Sequence, residues 1–291
     1  MLVGFPPGGT NDLMARIVAQ KLGESLGQPV VVENRPGASG VIAAELLARA
    51  APDGYTLMLG STGTNTIAPA LNAKLPYDPV RDLAPVGLVG IAASALVVNA
   101  QVPAHNVAEL IALARSRPGK LTYASSGSGT TLHLGGELFK LLARVDLLHV
   151  PYKGNAQALN DVAGGQVDLI FSALPPALPL AKAGRVRILG VGMPERLRSA
   201  PELPTIAEQG LPGYEMWTWY GIFVTGGSPA DVIERVSRDL RAALADAKVR
   251  EQITAQGADP SGSTPAEFRT LIAAELEKWA GVVKSAGIKA E

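Results

Sequence analysis

The chain has 291 residues, 47% of them hydrophobic and 18% charged, so it is an ordinary globular protein long enough to form two hydrophobic cores. Its 26 basic and 26 acidic side chains cancel, which argues against nucleic acid or an anionic membrane surface as a partner. Cysteine is absent, so disulfides, thiolate chemistry and most zinc sites are excluded, and no cellular compartment is indicated.

Short β-branched runs alternate with amphipathic segments, which predicts an α/β fold built from parallel strand–helix units. The candidate strands are LVGF, PVVVEN, YTLML, VGLVG, ALVVN, LTYAS, LLHVP, VDLIF and VRILGV. Two apolar helical faces are predicted, one of Met14, Val18, Leu22 and Leu26 and the other of Leu138, Leu141 and Leu142. The apolar run 86–98 is shorter than a bilayer span of about 20 residues, and we interpret it as two buried strands, with no insertion into a membrane.

Three polar loops rich in glycine each follow a predicted strand. FPPGGTND begins at Phe5, GSTGTN at Gly60 and SSGSGTTLHL at Ser125, and the first leads into a helix with Thr10 or Asn11 as its predicted cap. In open α/β sheets such loops line the crevice at the carboxyl ends of the strands, where ligands bind. Their glycines and helix-start N–H groups favour an anion, although serine and threonine at a helix start are also ordinary caps.

The second half of the chain predicts further helices and two crossing points. Ser228-Pro229 and Thr264-Pro265 each predict a helix start with a hydroxyl cap. The extended stretches 96–103 and 220–229 are the candidate crossings between two lobes. A chain that crosses and returns gives a discontinuous first lobe, 1–98 and 224–291, and a continuous second lobe, 99–223.

Sequence motifs for catalysis and cofactor binding are incomplete. No serine lies in a G-x-S-x-G elbow, and the three histidines lack the spacing of zinc ligands. The dinucleotide and phosphate-loop patterns also fail, so we expect no cofactor and no metal. One enzymatic alternative stays open, a hydrolase or transferase that assembles Ser126 or Ser128 with His133 and Asp161 in space.

Five segments, in this order, carry a family resemblance: FPPGGTNDLMAR, VVENRPGASGVIAAELLARAAPDGYTLMLGS, SGSGTTLHLGGELFK, HVPYKGNAQALNDVAGGQVDLIF and LPTIAEQGLPGYEMWTWYGIFV. Together they resemble the Bug family of bacterial extracytoplasmic solute receptors, the substrate-binding components of tripartite tricarboxylate transporters. The resemblance implies a two-lobed periplasmic binding protein of the Venus flytrap type, type II-like, in which each lobe is an open, mainly parallel sheet flanked by helices. Family members carry a signal peptide and a few residues before the first strand, whereas this sequence starts close to FPPGG.

The resemblance further implies a non-catalytic, monomeric, periplasmic receptor. It would close around a dicarboxylate, a tricarboxylate, an acidic amino acid or an aromatic acid, and pass this ligand to membrane transporter subunits or to a sensor protein. Which carboxylate is bound, and whether the role is transport or sensing, is left open by the residues.

Ligand contacts are implied for both lobes. In the first lobe they are Pro7, Gly8, Gly9, Asn11, Asp12, Ser61 and Thr62. In the second lobe they are Ser126, Gly127, Ser128, Gly129, Thr130, Thr131, His133, Tyr152, Lys153, Asn155, Asp161, Ser172 and Ala173.

Several of these side chains also have structural interpretations. Asp12 suits the positive end of its helix dipole, and Tyr152 and Lys153 suit packing and a surface ion pair. Asp161 either accepts from a ligand amino group or solvates its helix. His133 either touches the ligand, orients the loop or packs in the core. The stretch VVENRPGASG is interpreted as a turn that maintains the fold.

Overall fold

This computed structural model describes residues 1–72, 74–197 and 200–288. The strands of the described chain are β1 (Leu2–Val3), β2 (Glu33–Asn34), β3 (Leu57–Ser61), β4 (Leu83–Asn99), β5 (Thr122–Ser125), β6 (Leu148–Pro151), β7 (Leu169–Ala173), β8 (Val186–Val191), β9 (Trp217–Thr225) and β10 (Asp259–Pro260). The helices are α1 (Thr10–Leu26), α2 (Val41–Ala48), α3 (Ala68–Leu71), α4 (Val107–Ser116), α5 (Thr131–Ala143), α6 (Asn155–Ala163), α7 (Leu174–Lys182), α8 (Ala230–Ala245), α9 (Ala247–Ala255) and α10 (Pro265–Ala286). The predicted α/β class is confirmed.

The chain divides into two compact units. Unit 1 contains Met1–Ile91 and Thr218–Gly281, and unit 2 contains Ala92–Trp217 and Val282–Ile288. The chain therefore leaves unit 1 within β4 and returns to it at the start of β9. The lobe limits that the sequence predicts, at 98–99 and 223–224, stay a prediction.

The sheet of unit 1 has the strand order β2-β1-β3-β9-β4-β10. Leu2 of β1 lies opposite Glu33 of β2 and Met58 of β3, and both pairings are parallel. The predicted face of α1 is buried through Met14 and Val18. Because β2, β1 and β3 run in the same direction, the loops that follow them leave the sheet at the same edge.

The sheet of unit 2 has the order β8-β4-β7-β5-β6. Tyr123 of β5 lies opposite His149 of β6 and Leu169 of β7, in parallel pairings, so the loops after these three strands also share one edge. Both sheets are mixed rather than mainly parallel. The reason is that the long strands run against their neighbours, β4 against β7 and β8, and β9 against β3.

The interpretation of the apolar run 86–98 as two strands is wrong, because β4 continues unbroken from Leu83 to Asn99. Gly87 and Gly90 are not turn residues. A Cβ at either position would lie 3.0 Å from the carbonyl oxygen of Ser263 or Asp259, so the absent side chain admits a neighbouring backbone.

Helix starts follow the sequence prediction only in part. Thr264 caps α10, since its hydroxyl accepts from the Glu267 N–H at 3.2 Å while the Glu267 carboxylate accepts from the Thr264 N–H at 2.8 Å. The predicted Ser228 cap is wrong, because its hydroxyl donates to the Thr225 carbonyl oxygen and α8 begins only at Ala230. The predicted cap of α1 is also wrong. The cap position is Gly9, because the chain enters the helix one residue earlier than the hydroxyl pattern indicates.

The predicted apolar face of α5 is wrong at its C-terminal end. Leu138 is buried, but Leu141 and Leu142 are 46% and 37% exposed. The buried face contains Leu134, Leu138 and Phe139, and Ala143 at the end of the helix is buried as well.

Candidate functional site

In unit 1, the loop after β1 is shaped by Asp12. This carboxylate is only 2% exposed and accepts from the Gly8 N–H, from Arg16 Nε and from Asn34 Nδ2, each at 2.9 Å. The hydrogen bond from Arg16, helped by those from Gly8 and Asn34, holds the pKa of Asp12 at about 2 in spite of its burial. Asp12 therefore holds this loop through three hydrogen bonds, and its predicted interaction with the helix dipole and its contact with a ligand stay predictions.

The backbone of the same loop presents unpaired donors. Within the described residues, no acceptor is paired with the backbone N–H groups of Thr10 and Asn11 at the start of α1. The side-chain Nδ2 of Asn11 is likewise buried without a hydrogen-bond partner. Pro7, Gly8 and Gly9 are exposed beside these groups. This end of the loop suits an acceptor from outside the protein, such as a carboxylate.

The loop after β3 contributes buried hydroxyl groups. Ser61 and Thr62 are 3% and 0% exposed, and the Thr62 hydroxyl accepts from the Trp219 N–H at 2.9 Å. Asn65 Oδ1 accepts from the Ser61 N–H at 3.1 Å, and its Nδ2 is buried without a partner. A Cβ at Gly60 would lie 2.2 Å from Asn65 Oδ1, so only glycine admits this arrangement. Asn65 was not among the implied contacts, although the motif GSTGTN contains it.

The loop after β2 was missed as a candidate site. Gly37, Ala38, Ser39 and Gly40 have φ values of 137°, 47°, 55° and 92°, so two non-glycine residues adopt left-handed backbone. The fold-keeping interpretation accounts for the close packing at Gly40, because a Cβ added to Gly4 would lie 2.6 Å from the Cα of Gly40. Ala38 and Ser39 are exposed, and strained backbone of this kind is concentrated at binding sites. The signal was a glycine-flanked loop after a third parallel strand.

In unit 2, the loop 125–131 after β5 is held by two left-handed glycines. Gly127 has φ 131° and Gly129 has φ 73°. Thr130 caps α5, since its hydroxyl accepts from the His133 N–H at 3.3 Å and donates to the Gly127 carbonyl oxygen at 2.7 Å. The backbone N–H groups of Ser128, Thr131 and Leu132 have no acceptor within the described residues. The loop is thus both a helix cap and an array of free donors.

The loops after β6 and β7 lie beside it. The Tyr152 N–H donates to the Ser125 carbonyl oxygen at 3.1 Å, and the Tyr152 hydroxyl donates to Asp161 at 2.8 Å. Lys153 is exposed, and Oδ1 of Asn155 is buried without a partner. The remaining implied contacts of unit 2 lie at this edge of the sheet, at the end of β7 and in loop 125–131, and are Ser172, Ala173, Ser126 and Thr131.

Two stacked histidine side chains form hydrogen bonds with loop 125–131. The rings of His133 on α5 and His149 on β6 are parallel within 14° with centroids 4.0 Å apart, and Tyr123 stacks on His149 at 4.8 Å. Nδ1 of His133 accepts from the Gly129 N–H at 3.0 Å, and Nε2 of His149 is 2.7 Å from the Ser125 hydroxyl. Burial lowers the pKa of both rings, that of His149 to about 4.

These contacts do not form the serine–histidine–aspartate alternative. In the described structure, His133 Nδ1 is bonded to a backbone N–H and Asp161 to a tyrosine hydroxyl, so neither activates Ser126 or Ser128. Ser125 does pair with His149, but it is fully buried and its hydroxyl also contacts the backbone of Gly127. A nucleophile needs access to its substrate, which Ser125 lacks.

A separate cavity of about 670 Å³ lies in unit 1 at the opposite end of the strands. It is lined at the amino ends of β1 and β3 by Met1, Leu57 and the exposed side chains of Val31 and Tyr55. None of the implied contact residues lines it. A substitution in this cavity therefore provides a control for the location of the ligand.

Two α/β units with donor loops at the carboxyl ends of their strands fit the class of solute-binding receptors. A profile described as "Tripartite tricarboxylate transporter family receptor" matches residues 14–288, and the chain belongs to this family. Protein BugT of Bordetella pertussis is 38% identical over 99% of this chain and 89% of its own length. The family consists of receptors rather than enzymes, and the predicted Bug resemblance is confirmed.

Solved structures give the same result. A Rhodopseudomonas palustris protein, Rpa4515 with adipate, is 38% identical with a TM-score of 0.81, covering 99% of this chain and 97% of that one. MatC from the same organism, with bound malate, is 32% identical with a TM-score of 0.77, covering 97% of each chain. The periplasmic binding protein BugD is 33% identical with a TM-score of 0.78, covering 100% of this chain and 98% of that one.

None of the helices in the described part of the chain combines the length and the apolar character needed to cross a membrane. No group of three or more histidine, aspartate or glutamate side chains among these residues is arranged to hold a metal ion.

Proposed function

We propose that this protein is a periplasmic receptor that captures a small dicarboxylate with the polar loops of its two units and delivers it to membrane transporter subunits. The observation that carries the proposal is the set of unpaired donors at the helix starts of α1 and α5. Neutral N–H groups at helix starts stabilise a carboxylate without a paired cation. Similar proteins crystallised with adipate and with malate support this ligand class.

A dicarboxylate is favoured over an acidic amino acid by the state of Asp161. An amino group on the ligand would need an acceptor, and the two carboxylates among the implied contacts already accept from the protein, Asp161 from the Tyr152 hydroxyl and Asp12 from three donors. Lys153 is exposed at the same edge, where it offers a cation to a second carboxylate. Asp161→Asn should leave dicarboxylate affinity unchanged or raise it, whereas an amino-acid ligand would bind about tenfold or more weakly to this variant.

The location of the ligand is tested with Asn11→Ala and Asn155→Ala. Each substitution removes a buried polar atom that has no partner in the protein, so folding stability should not fall. Affinity for the bound dicarboxylate, measured by fluorescence thermal shift and then titration, should fall about tenfold in Asn11→Ala, near the 1.4 kcal/mol of one lost hydrogen bond. Oδ1 of Asn155 is an acceptor and cannot bond an ionised carboxylate, so Asn155→Ala should change the affinity by less.

Tyr55→Ala is the matched control, because Tyr55 lines the separate cavity of unit 1 and is 90% exposed. It should bind the ligand like the wild type. If Tyr55→Ala weakens binding and Asn11→Ala does not, the ligand belongs to that cavity and the proposed site is wrong.

Closure of the two lobes around the ligand is a separate part of the proposal. A receptor that closes buries the ligand, so its radius of gyration in solution should decrease on binding. Small-angle X-ray scattering with and without saturating ligand measures this change. An unchanged scattering profile at proven saturation would leave a binding protein that does not close.

A further inference from the structure

The stacked pair His133 and His149 reaches loop 125–131 at two different places. His133 Nδ1 accepts the N–H of Gly129, and His149 Nε2 contacts the Ser125 hydroxyl, which in turn lies 3.2 Å from the Gly127 N–H. Gly127 and Gly129 are the two left-handed residues that give the loop its shape. The two rings therefore hold the loop at both of its turning points.

From this geometry we infer that His133 and His149 are positioning residues that keep loop 125–131 in its ligand-binding shape, and that protonation of the pair releases the loop and the bound carboxylate. This inference rests on the proposed function for its consequence, ligand release. Its structural half, coupling between the histidines and the loop, does not depend on any ligand.

Protonation removes the acceptor on which the loop depends. A neutral His133 holds its proton on Nε2 and leaves Nδ1 free to accept from Gly129. A proton added to Nδ1 faces the Gly129 N–H, so two donors oppose each other and the hydrogen bond is lost. The two rings are 4.0 Å apart, so charging both of them adds a repulsion between like charges.

The titratable and charged groups around His133 and His149 determine the pH at which the two rings are protonated. From α5, Glu137 lies 3.9 Å from His133 Nε2 and itself accepts from Lys140 at 2.9 Å, so its charge is largely balanced. From β5, Tyr123 donates to Glu137 at 2.5 Å and is kept neutral by burial, which raises its pKa. From β7, Phe171 contributes only an apolar edge to Tyr123. Burial is therefore the largest influence on the pKa of both histidines, and it keeps them neutral near neutral pH.

The direction of the pH effect follows. Because the pKa values of both rings are lowered in the folded loop, the neutral, loop-holding form dominates at pH 7 and is lost only in acid. Ligand release is therefore expected in acid, at a pH below the ordinary histidine pKa of about 6.5, and not in the alkaline range.

The first experiment uses ligand-free protein and nuclear magnetic resonance. The protection factor of the Gly129 amide, corrected for intrinsic exchange at each pH, should fall by about tenfold per pH unit once His133 begins to titrate. His133→Asn places an amide oxygen near the position of Nδ1 and cannot titrate, so its Gly129 protection should not change with pH. His105→Asn alters the exposed third histidine and should behave like the wild type.

A second variant guards against failure of the first to fold. His149→Gln keeps a polar group near the position of Nε2 and also cannot titrate. It should remove the part of the pH response that reaches Gly127 through Ser125. If the protection factors of the Gly127 and Gly129 amides depend on pH in folded His133→Asn or His149→Gln as they do in the wild type, the inference is wrong.

The binding experiment measures adipate affinity at about pH 7 and about pH 5. Protonation of adipate itself is common to every variant, so the protein's contribution is the difference between variants. The wild type and His105→Asn should lose about tenfold more affinity than His133→Asn. If adipate binds nowhere, the proposed function loses support, while the resonance result still decides the coupling. If adipate binds with the same pH dependence in every variant, acid release is wrong.

Discussion

The charge of Asp12 contributes to the stability of unit 1. Its pKa is about 2 in the folded protein against an ordinary value of 3.8. A difference of this size corresponds to about 2 kcal/mol of stability. Since the folded pKa is the lower one, this contribution is complete above about pH 5 and is lost as the pH falls through 4 toward 2.

Asp12→Asn should therefore lower the free energy of unfolding at pH 7 by about 2 kcal/mol. Its Nδ2 would also face the donating amide of Asn34. In urea denaturation, the gap between wild type and variant should shrink by about half at pH 3. Asp231→Asn, at an exposed carboxylate, is the control and should differ from wild type by less than about 0.5 kcal/mol. A gap that stays constant with pH would contradict the assignment of the lowered pKa to Asp12.

Gly8 and Gly9 form a matched pair for testing backbone shape. Gly8 has φ 83° and Gly9 has φ −81°, and a Cβ on either meets no atom closer than 3.8 Å. Only the left-handed position strains an alanine, by about 1–2 kcal/mol. Gly8→Ala should lower the melting temperature, and Gly9→Ala should change it little. Equal losses would mean that crowding and not backbone conformation explains these glycines.

At the scale of residues, the sequence was most informative about local chemistry. It predicted the glycine loops, the Thr264 capping box and the polar character of both helix starts, because each depends on neighbours within four positions. It did not pair Asp12 with Asn34, or His133 with His149. Each of those contacts joins a helix to a strand that lies far from it in the sequence, α1 to β2 and α5 to β6.

At the scale of elements, the cap of α10 gives a direct prediction. Thr264→Ala removes one half of the reciprocal pair with Glu267 and should lower the free energy of unfolding by about 1 kcal/mol. Thr270→Ala is the control within the same helix, because its hydroxyl only bonds back to the Ala266 carbonyl oxygen. Equal effects in chemical denaturation would show that Thr264 contributes no more than helix propensity.

The long strand β4 shows where patterns fail at this scale. Glycines in an apolar run normally indicate a break, and Gly87 and Gly90 suggested two strands. The backbone at Ser263 and Asp259 packs closely against those glycines, and it lies about 170 residues later in the chain, as the bond from the Leu88 N–H to Ser263 shows. No local pattern carries that information.

At the scale of the whole molecule, the family and the α/β class were predictable from the sequence, because five ordered segments span nearly the whole chain. The identity of the ligand was not. Neutral donors at two helix starts indicate a carboxylate. Recognition of the ligand's length and of its second charged group depends on side chains that folding brings together, such as Tyr152 with Asp161.

Isothermal titration calorimetry tests the central claim most directly. The protein is unfolded, dialysed and refolded to remove carried ligand, and is then titrated with adipate, malate, tricarboxylates, acidic amino acids and aromatic acids. We expect saturable one-to-one binding of a dicarboxylate, with no chemical change in the recovered ligand. If no compound of the panel gives a heat of binding with protein shown to be folded, the proposed receptor function is contradicted.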